Sequence, residues 1–172
     1  MMNKMKKAVI ILSLVFLSIQ SYAQAGDLYF GLQGGYATYF KAPVYGLNIS
    51  YDILKPLQVS LTGLMNPKAP AVWKEYEKGR SLYTVDLDAR LFLINLDSWA
   101  TGPSIGAQYL HFKVDDNTLP FSDSAFGFNI GWHLRVNMSE NLRLNGGWRY
   151  TTNKIQGYSL FYIGIGYAFN LF

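Results

Sequence analysis

From Asp27 onward the chain alternates apolar and polar positions with a period of two, as strands do when their faces meet different surroundings. In the first such run Leu28, Phe30, Leu32 and Tyr36 are apolar, while Asp27, Gly31, Gln33 and Gly35 are polar or small. A second sets Tyr45, Leu47, Ile49, Tyr51 and Ile53 against Asn48, Ser50 and Asp52, and a third sets Leu57, Val59 and Leu61 against Gln58, Ser60 and Thr62. The fourth is the longest: Tyr83, Val85, Leu87, Ala89, Leu91 and Leu93 alternate with Thr84, Asp86, Asp88 and Arg90. A fifth opposes Trp99, Ile105, Ala107 and Tyr109 to Ser104, Gly106 and Gln108, and its Pro103 predicts a bulge or a strand start. The sixth places Phe126, Phe128, Ile130, Trp132, Leu134 and Val136 opposite Gly127, Asn129, Gly131, His133 and Arg135. The last two put Leu142, Leu144, Trp148 and Tyr150 against Arg143, Asn145, Gly147 and Arg149, then Phe161, Ile163, Ile165, Tyr167 and Phe169 against Tyr162, Gly164, Gly166 and Ala168.

These eight runs predict eight strands, and their connections sort by length. Lys55-Pro56, Asn95 to Ser98 and Asn137 to Asn141 are tight, whereas Asn66 to Arg80 and Lys113 to Asp123 are long and Thr152 to Gly157 is moderate. Only Phe40 to Pro43 is short where a longer loop is expected. Tight turns on one rim and long loops on the other predict an all-β fold, an eight-stranded antiparallel transmembrane up-and-down β-barrel.

Alternation alone does not say which face is the core. In a soluble barrel the apolar face points inward; in a membrane barrel it faces lipid. Side-chain size decides. The apolar face carries large residues on every strand, more than an eight-stranded interior can hold, and the other face is rich in Gly, Ser, Thr, Asn and Gln. Aromatics also gather toward the strand ends. Tyr36, Tyr45, Tyr83, Tyr109, Phe126, Trp148 and Tyr150 lie toward the long-loop rim, and Phe30, Tyr51, Trp99, Tyr167 and Phe169 toward the other, as two interfacial girdles would.

The N-terminus predicts export. Lys4, Lys6 and Lys7 precede the apolar stretch Ala8 to Ile19, and the small residues around Ala23 and Ala25 follow. This is the pattern of a secretory signal, too short for a spanning helix. We expect residues 1–23 to be removed, with cleavage after Ala23 or Ala25, leaving the barrel as residues 24–172. With those three lysines gone, 12 of the 15 basic residues remain against 11 acidic ones, a net charge of +1 in place of +4. The basic pI therefore gives no reason to expect a nucleic-acid partner. No cysteine is present, which excludes a lipoprotein anchor and disulfides.

The segment "GIGYAF", Gly164 to Phe169, resembles the C-terminal insertion signal of small bacterial outer-membrane barrels. Ile165, Tyr167 and Phe169 supply its alternating apolar residues, and Phe172 closes the chain in the opposite phase, so either Phe169 or Phe172 is the operative residue. In length, strand count and loop asymmetry the mature chain resembles the OmpA/OmpX-like outer-membrane β-barrel superfamily. The resemblance implies insertion by the barrel-assembly machinery. It also implies contact with outer-membrane lipids and lipopolysaccharide, periplasmic termini and extracellular long loops. Barrels of this type include structural proteins, adhesins and enzymes, so the fold alone fixes no function.

Candidate chemistry is sparse. The inward phase carries Asp27, Asp52, Asp86 and Asp88 with Arg90, Arg135, Arg143 and Arg149, a balanced set that predicts a lumen charge network and no constitutive solute pore. Asp86 and Asp88 would also suit paired-carboxylate catalysis, but pairing with arginine is the simpler role. A lipid A deacylase of this build uses a Ser-His pair with an acidic residue near the outer rim. Here only His111 and His133 are available, and "RYTTNK" (Arg149 to Lys154) stands where that family has His-x-Ser-Asn. His133 falls on the lumen phase and His111 on the lipid phase near the outer rim. We predict no catalytic, cofactor or metal site: Asp115, Asp116 and Asp123 lack the spacing of a calcium loop, and the Gly34-Gly35 and Gly146-Gly147 pairs lie within strands. Loop 66–80, with Trp73 and Tyr76 among Lys68, Lys74, Glu75, Glu77, Lys78 and Arg80, is the candidate surface for a protein partner. The expected role is structural or interactive, compatible with an accessory subunit of a larger outer-membrane assembly. A lipid A-modifying enzyme and a soluble lipocalin-like periplasmic carrier are the alternatives.

Overall fold

The structure, a computed structural model, describes residues 26–66, 80–114, 121–154 and 157–170. The signal segment 1–23, loop residues 67–79 and Phe172 lie outside the described residues.

Eight antiparallel strands form one closed sheet: β1 Asp27–Ala37, β2 Ala42–Leu54, β3 Leu57–Asn66, β4 Arg80–Leu91, β5 Trp99–Val114, β6 Phe121–Asn137, β7 Leu142–Asn153 and β8 Tyr158–Asn170, with Ile94–Asn95 continuing β4. Each strand pairs with its neighbour in sequence, and β8 closes on β1 from Asp27↔Asn170 to Ala37↔Leu160. Closure satisfies every edge, as lipid requires. Following partners around the barrel from Leu28 (Tyr51, Val59, Ala89, Ile105, Ile130, Tyr150, Ser159) returns to β1 at Thr38, a stagger of ten residues. A stagger of that size tilts the strands by roughly 35–45°.

The faces divide as a membrane barrel requires. Phe126 and Phe128 are 80% and 74% exposed, whereas Asp86, His133, Ser60 and Thr62 are fully buried. The outward girdles also form: Phe30, Tyr167 and Phe169 touch at the short-turn end, and Tyr109 meets Phe126 at the long-loop end.

Besides a one-residue register shift between Asp52 and Leu54 on β2, two local features shape the lumen. β4 leaves the sheet after Leu91 and rejoins one residue out of register, from Arg90↔Ser104 to Ile94↔Thr101. The break lies opposite Pro103, which has no amide proton to give the ladder. Phe92 keeps the inward phase of Asp88 and Arg90 and enters the lumen, while its N–H donates to the Pro56 carbonyl at 2.7 Å. The second feature is the turn at 38–41, where the sequence pattern expected a longer loop. Lys41 adopts a left-handed φ of 46°, and Phe40 turns inward, 3% exposed.

Candidate functional site

The inward face is built of two layers in series. Toward the short-turn end and the middle it is a continuous charge network. Arg149 spans two carboxylates, donating to Asp86 Oδ2 at 2.8 Å and to Asp88 Oδ2 at 3.1 Å. Gln108 Nε2 donates to the other Asp86 oxygen at 2.6 Å, and the Tyr158 hydroxyl donates to Gln108 Oε1 at 2.7 Å. Arg90 stands 4.0 Å from Asp88 and donates to Gln58 Oε1 at 3.0 Å; Gln58 in turn donates to Asp52 at 2.8 Å. Asp52 then receives Arg135 at 3.0 Å and Arg143 at 3.3 Å, and Arg143 also pairs with Asp27.

Every charged residue that the alternation placed inward is therefore joined in one chain of contacts. Among the described residues four carboxylates face four guanidinium groups, so their charges balance. An unpaired charge there would cost several kcal/mol, roughly 3–5 when one partner is removed. His133 is inside too, its Nδ1 3.0 Å from the Tyr162 hydroxyl and its ring packed near Phe92. The Arg135 guanidinium lies 4.4 Å from the centre of the same Phe92 ring.

The second layer is one that alternation did not reveal. Toward the long-loop end the lumen holds an apolar cluster of Ala37, Phe40, Ala42, Val44, Leu64, Leu82, Leu110 and Leu160, with Tyr158 and Tyr162 at its base. Phe40 reaches it from the 38–41 turn and meets Tyr158 at 5.2 Å and Phe112 at 5.8 Å between ring centres. The lumen is thus not polar throughout, as the inward residue types had implied. A signal was present: near this end both phases turn apolar, as in "YLHF" (109–112) and "SLFYI" (159–163).

Glycines make room for these inward side chains where backbones approach closely. Tyr29 lies across Gly31, whose Cβ would collide with the phenol, and a Cβ on Gly106 would strike the Leu87 carbonyl and Asp88.

At the long-loop rim the outward face carries one built polar cluster. His111 Nδ1 is 2.9 Å from Ser124 Oγ, and the Tyr109 hydroxyl donates to the same oxygen at 3.1 Å. Sequence reading placed His111 here but did not pair it with Ser124, because the partners sit on different strands and meet only through the β5–β6 register. Asp123 does not reach the imidazole; it accepts the Ser124 amide at 2.7 Å and pairs with Lys154 at 3.1 Å. Among the described residues, no His, Asp and Glu gather into a metal-binding group.

Comparison with known structures places the fold. The N-terminal barrel of Pseudomonas aeruginosa OprF superposes with a TM-score of 0.66 at 14% identity, covering 85% of this chain and all of that one. Ail, the attachment invasion locus protein of Yersinia pestis, gives 0.60 at 15% identity over 84% of this chain and 99% of its own. Neisserial surface protein A gives 0.56 at 18%, over 83% and 96%. Among curated proteins none matches the sequence. Residues 9–169 match the outer membrane protein beta-barrel domain family, and the chain belongs to that family, a bacterial outer-membrane β-barrel of OmpA/OmpX-like type.

Proposed function

We propose that this protein is a non-enzymatic structural or interaction barrel of the outer membrane, acting through its rim and loops and not through its lumen. The observation that carries this reading is the series arrangement inside: a neutralised Asp–Arg chain followed by an apolar cluster that Phe40 closes. A solute would have to displace both layers.

In this reading residues 1–23 are removed on export, the termini are periplasmic and the long loops are extracellular. The barrel-assembly machinery reads Ile165, Tyr167 and Phe169 or Phe172. Outer-membrane lipids and lipopolysaccharide surround the wall, and loop 66–80 meets a protein partner. The long-loop rim carries Lys41, Lys113 and Lys154. Ail has been crystallised with the heparin analogue sucrose octasulfate, which makes a polyanion a sensible first ligand to try.

The test combines heat-modifiable gel migration in purified outer membranes with conductance of the purified barrel in planar bilayers. A migration shift with no steady conductance is expected. Steady ohmic conductance would overturn the sealed-lumen reading, and recovery in the soluble periplasmic fraction would favour the carrier alternative. The contact between His111 and Ser124 keeps one enzymatic alternative specific, since a base within hydrogen-bond reach is what a serine nucleophile needs. Lipid A one acyl chain lighter on expression, restored to full mass by His111→Ala, would establish it.

A further inference from the structure

Among the described residues the outward face holds two places where polar side chains bond to each other, and they differ in what they leave open. At the first, Trp132 Nε1 donates to Thr101 Oγ1 at 2.7 Å, and that hydroxyl donates to the His133 carbonyl at 2.8 Å. Both donors are used within the wall, so the pair offers nothing to its surroundings.

The second is the cluster of Tyr109, His111 and Ser124. A serine hydroxyl has one proton. Its oxygen also has two lone pairs, so Ser124 can accept from the Tyr109 hydroxyl at 3.1 Å while giving its proton to His111 Nδ1, 2.9 Å away. In the tautomer that this bond requires, the imidazole proton sits on Nε2. Among the described residues no acceptor meets this N–H.

Its surroundings set the class of ligand. His111 is half-buried; Tyr83, its registered neighbour on β4, lays a ring beside it with centres 6.4 Å apart. Below the cluster the wall is apolar, with Val85, Phe126 and Phe128 exposed. Above it, Lys113 continues the same outward phase, and on the same rim Lys154 is paired with Asp123. A donor at the level of the aromatic girdle, with apolar wall on one side and a lysine of the same outward phase on the other, matches a lipid whose chains lie along the wall and whose phosphate reaches the rim. A strand wall supplies no oxyanion hole, because its amides are committed to the ladder, and no carboxylate orients His111 among the described residues.

We propose that Tyr109, His111 and Ser124 form a binding site for the phosphate of a membrane lipid seated on the β4–β6 wall, with His111 Nε2–H as the donor. The inference rests on the proposed outer-membrane function and deepens it by naming one wall site and its ligand chemistry.

The experiment uses the full mature chain folded in nanodiscs of digalactosyldiacylglycerol, a bilayer lipid without phosphate, and counts retained lipid by native mass spectrometry. Three arms supply diphosphorylated lipid A, the same lipid A enzymatically dephosphorylated, or phosphatidylglycerol. Wild type is expected to retain one phosphorylated lipid, His111→Leu at least tenfold less, and His111→Gln, which keeps an N–H donor, an intermediate amount. Preference for phosphatidylglycerol over lipid A would still support the phosphate site and would name a phospholipid as its source. Equal retention by wild type and His111→Leu, equal retention of dephosphorylated lipid A, or release of a deacylated lipid would overturn the proposal. Heat-modifiable migration shows that each variant has folded, and His111→Leu is tolerable because the position faces lipid. Labelling of Lys41→Cys by an impermeant maleimide in intact cells reports loop orientation separately. A failure of the outer-membrane topology is thereby distinguished from a failure of the lipid site.

Discussion

Toward the short-turn end and middle the lumen is filled by Asp27, Asp52, Asp86 and Asp88 with their arginines; toward the long-loop end it is filled by Phe40, Leu64, Leu82, Leu110 and Leu160. The outward faces of the same strands are aromatic and aliphatic at both levels, with the polar cluster of Tyr109, His111 and Ser124 only at the long-loop rim. One closed sheet therefore encloses two interiors. The charged layer is specific: each guanidinium has assigned acceptors, and removing one partner strands another. The apolar layer is adaptable, because its contacts are non-directional and neighbours can relax toward a gap. The charged layer should therefore be the more sensitive to single substitutions.

The largest effect should come from the centre of the charged layer. Asp86→Ala leaves Arg149 with a single carboxylate and removes the acceptor of Gln108. A loss of about 3–5 kcal/mol is expected, read by urea titration of the barrel in lipid vesicles with tryptophan fluorescence. The triple replacement Asp86→Leu, Asp88→Leu, Arg149→Met should recover most of that loss, since an apolar set of similar volume needs no pairing. If the triple variant is as unstable as Asp86→Ala, the two layers are not interchangeable interiors and the comparison fails.

In the apolar layer Phe40→Ala should cost less, about 3 kcal/mol in the same titration, because the site lies at the end of the barrel and its lining can partly collapse. A cost equal to that of Asp86→Ala would show this layer to be as rigidly specified as the other. Smaller still is Lys41→Gly in the adjoining turn. A left-handed φ of 46° strains a residue with a Cβ, so glycine should stabilise by up to about 1 kcal/mol. The gain is reduced by glycine's greater freedom in the unfolded chain.

The charged layer was legible in the sequence; the apolar one showed only as stretches where both phases turn apolar, such as 109–112 and 159–163, which give neither its level nor its members. Period two fixes the face of each residue on a strand, so Asp86, Asp88, Arg90 and Arg149 could be placed together inside before their distances were known. It does not fix how high on the barrel a residue sits relative to distant strands; that depends on the stagger of ten residues, which no single run encodes. Leu82, Leu110 and Leu160 come to one level only through that stagger. Phe40 lies in a turn, outside any periodic run, and nothing local announces that it turns inward. Ser124 was missed as a partner of His111 for a similar reason: the bond runs across a strand pair whose register is set elsewhere.

The smallest effect belongs to the rim, where an ion pair resembles those of the lumen in geometry but not in surroundings. Lys154 Nζ is 3.1 Å from Asp123 Oδ1, with the lysine side chain 63% exposed. The bond from Lys154, together with the Ser124 amide, holds the Asp123 carboxyl below its ordinary range. A carboxyl shifted this way stabilises the fold at and above neutral pH, and the contribution is lost as the pH falls through its lowered folded-state pKa. Water competes for both partners at this position, and salt screens them. Asp123→Asn should therefore leave the urea midpoint unchanged at pH 7, and raising the salt concentration should not distinguish it from wild type. A clear destabilisation by Asp123→Asn would mean that the rim pair is shielded as the lumen pairs are, and that the charged interior has a counterpart at the long-loop end.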